Sequence, residues 1–150
     1  MKNHILLVLL LMFAFVVSAC ANISTSTPPA TSPEPLAVED TASLMAALQS
    51  GGANVETGEP ITQVFFSPEG NIIKVNGADV QVFEYESAEA MENEASQVAP
   101  DGGSIGTSMV TWVDTPHFYK AGRIIVLYIG SDETVLGLLE KVLGPQFAGR

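Results

Sequence analysis

Three textures follow one another along the chain. Residues 5–17 are thirteen consecutive apolar positions behind Lys2, and ten of the fourteen residues 22–35 are Ser, Thr or Pro. Only from Glu39 onward do apolar and polar residues alternate with the periods of regular structure. Thr41, Leu44, Met45 and Leu48 recur at helical spacing, with Asp40 or Thr41 to cap the first turn and Gly51 and Gly52 to stop it. Val55 opens a short edge strand. Residues 61–66 and 72–75 read as strands on either side of a turn containing Ser67, Pro68, Glu69, Gly70 and Asn71. Asn76 and Gly77 favour the positive φ angles of a type I′ turn, so residues 80–85 return antiparallel and complete a three-stranded meander.

A second helix follows, capped by Ser87, with Glu89 in its first turn and an apolar face of Ala88, Met91, Ala95 and Val98. Beyond a loop of Pro100, Asp101, Gly102, Gly103 and Ser104, residues 109–113 resume as strand and residues 118–129 form a hairpin turning at Ala121 and Gly122. The unbroken apolar run 124–129 predicts a strand buried on both faces at the centre of the sheet. Ile125 and Leu127, or Ile124 and Val126 in the shifted register, then lie beneath the last helix. Ser131 or Asp132 caps that helix, and Val135, Leu138, Leu139, Val142 and Leu143 stripe it before Gly144 and Pro145 end it. The prediction is an α+β two-layer sandwich: three helices on a mainly antiparallel sheet of about five or six strands, in the order αβββαββα.

The opening apolar run is shorter than the roughly 18 residues that span a bilayer, so it reads as an export signal and not as a transmembrane helix. Val17, Ser18 and Ala19 before Cys20 resemble the lipobox of bacterial lipoproteins, with Val17 where leucine is commoner. That resemblance implies cleavage before Cys20, a diacylglyceryl thioether and fatty-acyl chains such as palmitate on Cys20, and attachment to the bacterial cell membrane or outer membrane with the domain outside the cytoplasm. The Ser/Thr/Pro stretch cannot bury enough apolar surface to offset its ordering entropy and reads as a tether. The expected organisation is a signal peptide at 1–19, a lipidated cysteine and tether at 20–38, and one α+β domain at 39–150. Residues 44–149 also resemble small domains of bacterial lipoproteins, through the Asn76-Gly77 hairpin, the strand Val82, Phe83, Glu84, Tyr85 and the closing helix. Those domains have no assigned activity, so the resemblance transfers no catalytic position.

Charge narrows the function. From Cys20 onward the six basic residues lose Lys2, and the remaining five oppose all seventeen acidic ones, giving −12. Phosphate binding needs clustered Lys and Arg, so a nucleic-acid partner is excluded and a surface lying on anionic lipid is disfavoured. Cys20 is the single cysteine, which excludes an internal disulfide and a thiol nucleophile in the domain. His117 is the single histidine after the leader, too few for a His-based zinc site. Gly102, Gly103 and Gly106 follow a helix and lack a P-loop lysine, so they read as a surface loop, with no cofactor expected. Glu84, Glu86, Glu89, Glu92 and Glu94 are close in sequence but do not converge on a helix, and no metal site is expected.

What remains is a cluster of chemistry before and within the second hairpin: Trp112, Asp114, His117 and Tyr119, beside Pro116. A tryptophan and a tyrosine supply contact area with a polar handle, so these four residues are the expected binding surface, with the loop 101–106 as a competing or adjoining location. The favoured function is a noncatalytic lipoprotein domain that binds an envelope protein, another envelope component or a small ligand. The alternative is an envelope hydrolase using His117 and a carboxylate, with Ser104 or Ser108 as nucleophile, although the G-x-S-x-G elbow is lacking.

Overall fold

The computed structural model describes residues 37–149. The expected leader, Cys20 and the tether as far as residue 36 lie outside the described residues.

Each helix begins where a side-chain oxygen can take up free backbone N–H groups. Asp40 caps α1 (Thr41–Ser50) by accepting from the Ser43 N–H, and the Ser43 hydroxyl accepts in return from the Asp40 N–H, both at 2.9 Å. Ser87 caps α2 (Ala88–Ala95) and Asp132 caps α3 (Glu133–Leu143). The strands are β1 (Val55–Ile61), β2 (Gly70–Val75), β3 (Ala78–Glu84), β4 (Ser104–Ile105), β5 (Ser108–Met109), β6 (Pro116–Ala121), β7 (Ile124–Ile129) and β8 (Ala148–Gly149). Six of them form an antiparallel sheet in the order β1-β2-β3-β7-β6-β8, and β4 and β5 pair apart from it. The α+β class, the three helices and the order αβββαββα are as the sequence predicts, with β4–β5 and β8 as short additions.

Strand alternation divides the core in two. Ile73, Val75, Val80, Val82, Tyr119, Ile124, Val126 and Tyr128 face α1 and α3, where they meet Leu44, Leu48, Val135 and Leu139. Phe83, Phe118, Ile125 and Leu127 face the other way, onto Met91 and Ala95 of α2 and onto Phe66, Val98 and Ile105. The two-layer arrangement expected for the three helices is corrected here: α1 and α3 cover one face of the sheet, and α2 with its flanking loops covers the other. β7 is the central strand and is buried on both faces, as its apolar run predicts. Ile124 and Val126, the second of the two registers considered, lie beneath α3, while Ile125 and Leu127 lie beneath α2.

Four local expectations need correction. The edge strand expected to open at Val55 is β1 and runs to Ile61, but the strand expected at 61–66 is absent beyond Ile61. Pro60, lacking an N–H, is tolerated on that edge, and the chain then turns so that Phe66 N–H donates to the Gln63 carbonyl at 3.2 Å and the Phe66 ring drops into the core. The strand expected at 109–113 does not join the sheet, because the edge beside β6 is occupied by β8. Only Ser108 and Met109 pair, with β4. The second hairpin turns one residue later than expected, at Gly122 and Arg123, between the paired Ala121 and Ile124. The first hairpin is as read: Asn76 and Gly77 have φ of 52° and 88°. Ala88, assigned to the apolar face of α2, is exposed.

The hydrogen bond from Ser43 N–H holds the Asp40 carboxyl below the usual carboxylate range, with the Ser43 hydroxyl and Arg123 acting in the same direction. A carboxyl whose folded-state value is depressed contributes stability above its unfolded value and loses it as pH falls through the folded value. Asp40→Ala should therefore lower the thermal midpoint at neutral pH, and the gap to wild type should close as pH falls below the ordinary carboxylate range. Paired thermal melts across that range check this.

Candidate functional site

The loop after α2 is tied to itself before it supports anything else. Ala99 N–H donates to the Ser104 carbonyl and Gly102 N–H to the Ala99 carbonyl, each at 2.8 Å, and Val110 N–H donates to the Gly103 carbonyl at 3.0 Å. Gly102 needs its glycine: φ is 69°, and an added Cβ would lie 3.0 Å from the Phe118 ring and 3.2 Å from Pro116. Its carbonyl accepts the indole N–H of Trp112 at 2.7 Å. The Trp112 ring is also held edge-to-face against Phe65 and Phe118, at 5.8 Å in both cases. A partly exposed indole is thus fixed at its polar end and by two aromatic neighbours.

This fixed indole lines an open cleft of about 420 Å³ together with Asp101, Val110, Thr111, Asp114 and Pro116. Asp101 accepts from the Gly103 N–H at 2.9 Å. Asp114 accepts from the Thr115 N–H at 2.7 Å and from the Ser131 hydroxyl at 3.0 Å, bonds that hold its carboxyl below the ordinary range, the Thr115 contribution being the larger. Both carboxylates remain exposed. Met109 and Val113, 91% and 97% exposed, flank the residues of the cleft in sequence, and Val64, 93% exposed, precedes the Phe65 that touches Trp112.

His117 and Tyr119 belong elsewhere. They stand two apart on β6, so both point to the α3 face, whereas Trp112 packs with Phe118 on the opposite face. His117 is 6% exposed, lies stacked on Tyr128 with centroids 6.1 Å apart, and its Nδ1 meets the Gln146 side-chain oxygen at 2.8 Å. Tyr119 is buried, and burial followed by the nearby Glu140 carboxylate pushes its hydroxyl pKa up. His117 and Tyr119 line a separate concavity of about 290 Å³ with Leu136, Glu140, Pro145 and Gln146. The four residues expected to make one surface therefore line two concavities, Trp112 with Asp114 and His117 with Tyr119, although Asp114 lies close enough to His117 for the imidazole to help lower its pKa.

The serines drawn toward His117 are also on the far side. Ser104 and Ser108 lie on the β4–β5 ladder, whose Ile105 packs in the core beneath α2. The ring partner of His117 is an amide and not a carboxylate. Three of the five glutamates are individually engaged: Glu84 with Arg123 at 2.6 Å, Glu92 with Lys120, and Glu94 accepting from the Tyr85 hydroxyl at 2.8 Å. Among the described residues no three His, Cys, Asp or Glu side chains are grouped to hold a metal. Sequence reasoning missed Glu140 and Gln146, which reach the His117 pair only through the packing of α3 and β8, and Phe65, whose contact with Trp112 joins residues 47 positions apart. No helix among the described residues is long and apolar enough to cross a membrane. No family model, curated protein or solved structure matches the chain.

Proposed function

We propose that this is a lipid-anchored envelope protein whose domain is a noncatalytic binding module, with the Trp112 cleft as its ligand surface. The observation that carries the reading is the immobilised indole at a cleft that also presents two carboxylates. An indole attracts cations through its ring face, and carboxylates nearby add to the same preference. Lys74, Lys120 and Arg123 are paired with Asp79, Glu92 and Glu84, so these cations do not compete for the cleft. Val110, Pro116 and the exposed Met109 and Val113 add apolar area. The ligand is thus an envelope component or small molecule that joins positive charge to an apolar surface.

Trp112 is the only tryptophan and reports on the cleft directly. Full-length protein in detergent is titrated with a short Lys/Leu peptide and with a Ser/Leu peptide of the same length. The basic peptide should shift Trp112 emission saturably, several-fold more weakly in Asp101→Asn and Asp114→Asn variants and at high salt. Equal responses to the two peptides would remove the charge argument. No response to either would remove the cleft as the ligand surface.

A further inference from the structure

We propose that the concavity between β6, α3 and the Pro145–Gln146 turn is a second site, independent of the Trp112 cleft, for a monosaccharide-sized ligand rich in hydrogen-bond donors. The starting point is an oddity of composition. A core position beneath a helix is filled most cheaply by an aliphatic side chain, because a buried polar atom without a partner costs free energy. β6 nevertheless turns a histidine and a tyrosine toward α3, and His117 is the one polar residue in the described core.

The polar atoms of this pair are only half accounted for by the protein. Gln146 presents its side-chain oxygen to Nδ1 of His117 at 2.8 Å. With Nδ1 donating to that oxygen, a neutral ring presents its acceptor at Nε2. Among the described residues no hydrogen-bond partner meets Nε2 or the Tyr119 hydroxyl, yet no buried side-chain nitrogen or oxygen is left unsatisfied. Both atoms therefore keep some exposure, and both residues line the concavity.

The donor and acceptor set then selects the ligand. Nε2 accepts. The exposed Glu140 carboxylate, on the same wall, also accepts. The Tyr119 hydroxyl, kept protonated by burial and by Glu140, donates and accepts. Two acceptors beside one hydroxyl call for a ligand with at least two donors, and the Glu140 charge disfavours an anion. Leu136 and Pro145 supply apolar wall for C–H surface. The volume of about 290 Å³ stands at the lower end of small-ligand pockets, which suits one sugar ring. The shared chemistry is a cluster of O–H or N–H donors, and it can come from a neutral polyol or from an amino sugar.

Full-length protein in micelles, labelled at histidine and tyrosine side chains, is titrated with glucose and separately with glucosamine and followed by NMR. Saturable shifts at His117 and Tyr119 with either sugar are expected. Tyr119→Phe keeps the packing and removes one hydroxyl, and should weaken binding about tenfold. A Glu140→Gln loss that is larger for glucosamine supports the ammonium as a donor, and equal losses support the hydroxyls. The proposal is overturned by the absence of saturable shifts with both sugars, by shifts confined to other residues, or by affinities that neither substitution changes. Trp112 emission, read in the same samples, separates this outcome from that of the cleft.

Discussion

Leu127→Ala should destabilise the domain by about 2–5 kcal/mol, the range for removing a large aliphatic side chain from a packed interior. Leu127 is 0% exposed, on the central strand β7, between Gln81 of β3 and Phe118 of β6. Its neighbours in the core beneath α2 include the rings of Phe83, Phe118 and Phe66. Rings fixed against one another cannot collapse far into a cavity, which places the cost toward the upper part of the range. Small domains have only about 5–15 kcal/mol in total, so the variant should unfold at much lower denaturant with little change in slope. Urea titration checks this, and a loss below about 1 kcal/mol would mean that the face beneath α2 is loosely packed.

The same substitution tests the division of the core. Met91→Ala, across from Leu127 in one cluster, should couple with it in a double-mutant cycle. Leu139→Ala, in the cluster on the other side of the sheet, should add to it independently. Additivity of the first pair together with coupling of the second would reverse the face assignment.

That assignment also shows which parts of the molecule were legible in the sequence. Helix starts were legible because Asp40, Ser87 and Asp132 act on N–H groups within three residues of themselves. The Asn76-Gly77 turn and the buried run of β7 were legible for the same reason, since their causes lie inside the segment. Where the outcome depended on a distant competitor, the sequence was silent. Residues 109–113 have the composition of a strand, but the place beside β6 goes to Ala148 and Gly149, and Trp112 turns to the Gly102 carbonyl. Phe66 leaves an apparent strand because the rings of Phe83 and Phe65 give it a better burial.

The candidate site follows the same rule. Trp112, Asp114, His117 and Tyr119 fall within eight residues, and that proximity suggested one surface. Strand alternation and the loop path turn Trp112 to the face opposite His117 and Tyr119, and Asp114, although near His117, lines the Trp112 cleft. Conversely, His117 acquires Gln146 and Glu140 from positions 23 or more residues away, a juxtaposition that no local pattern encodes.

The proposed anchor predicts the largest effect of all. Protein made in a bacterial host should begin at Cys20 and carry the mass of two or three acyl chains, because one chain alone holds a protein on a membrane only marginally. A Cys20→Ser variant, supplied with an ordinary signal-peptidase site so that its leader is still removed, should move from the membrane fraction to the soluble one. Nothing in the charge of the domain opposes that release: at −12 from Cys20 onward, it is repelled by anionic lipid rather than drawn to it. The Trp112 cleft, read as a site for cationic ligands, would likewise gain little from a phospholipid surface. Attachment should therefore depend on the thioether alone. Mass spectrometry of the mature chain and fractionation of the variant decide the matter, and a processed Cys20→Ser protein that stays with the membrane would refute the anchor.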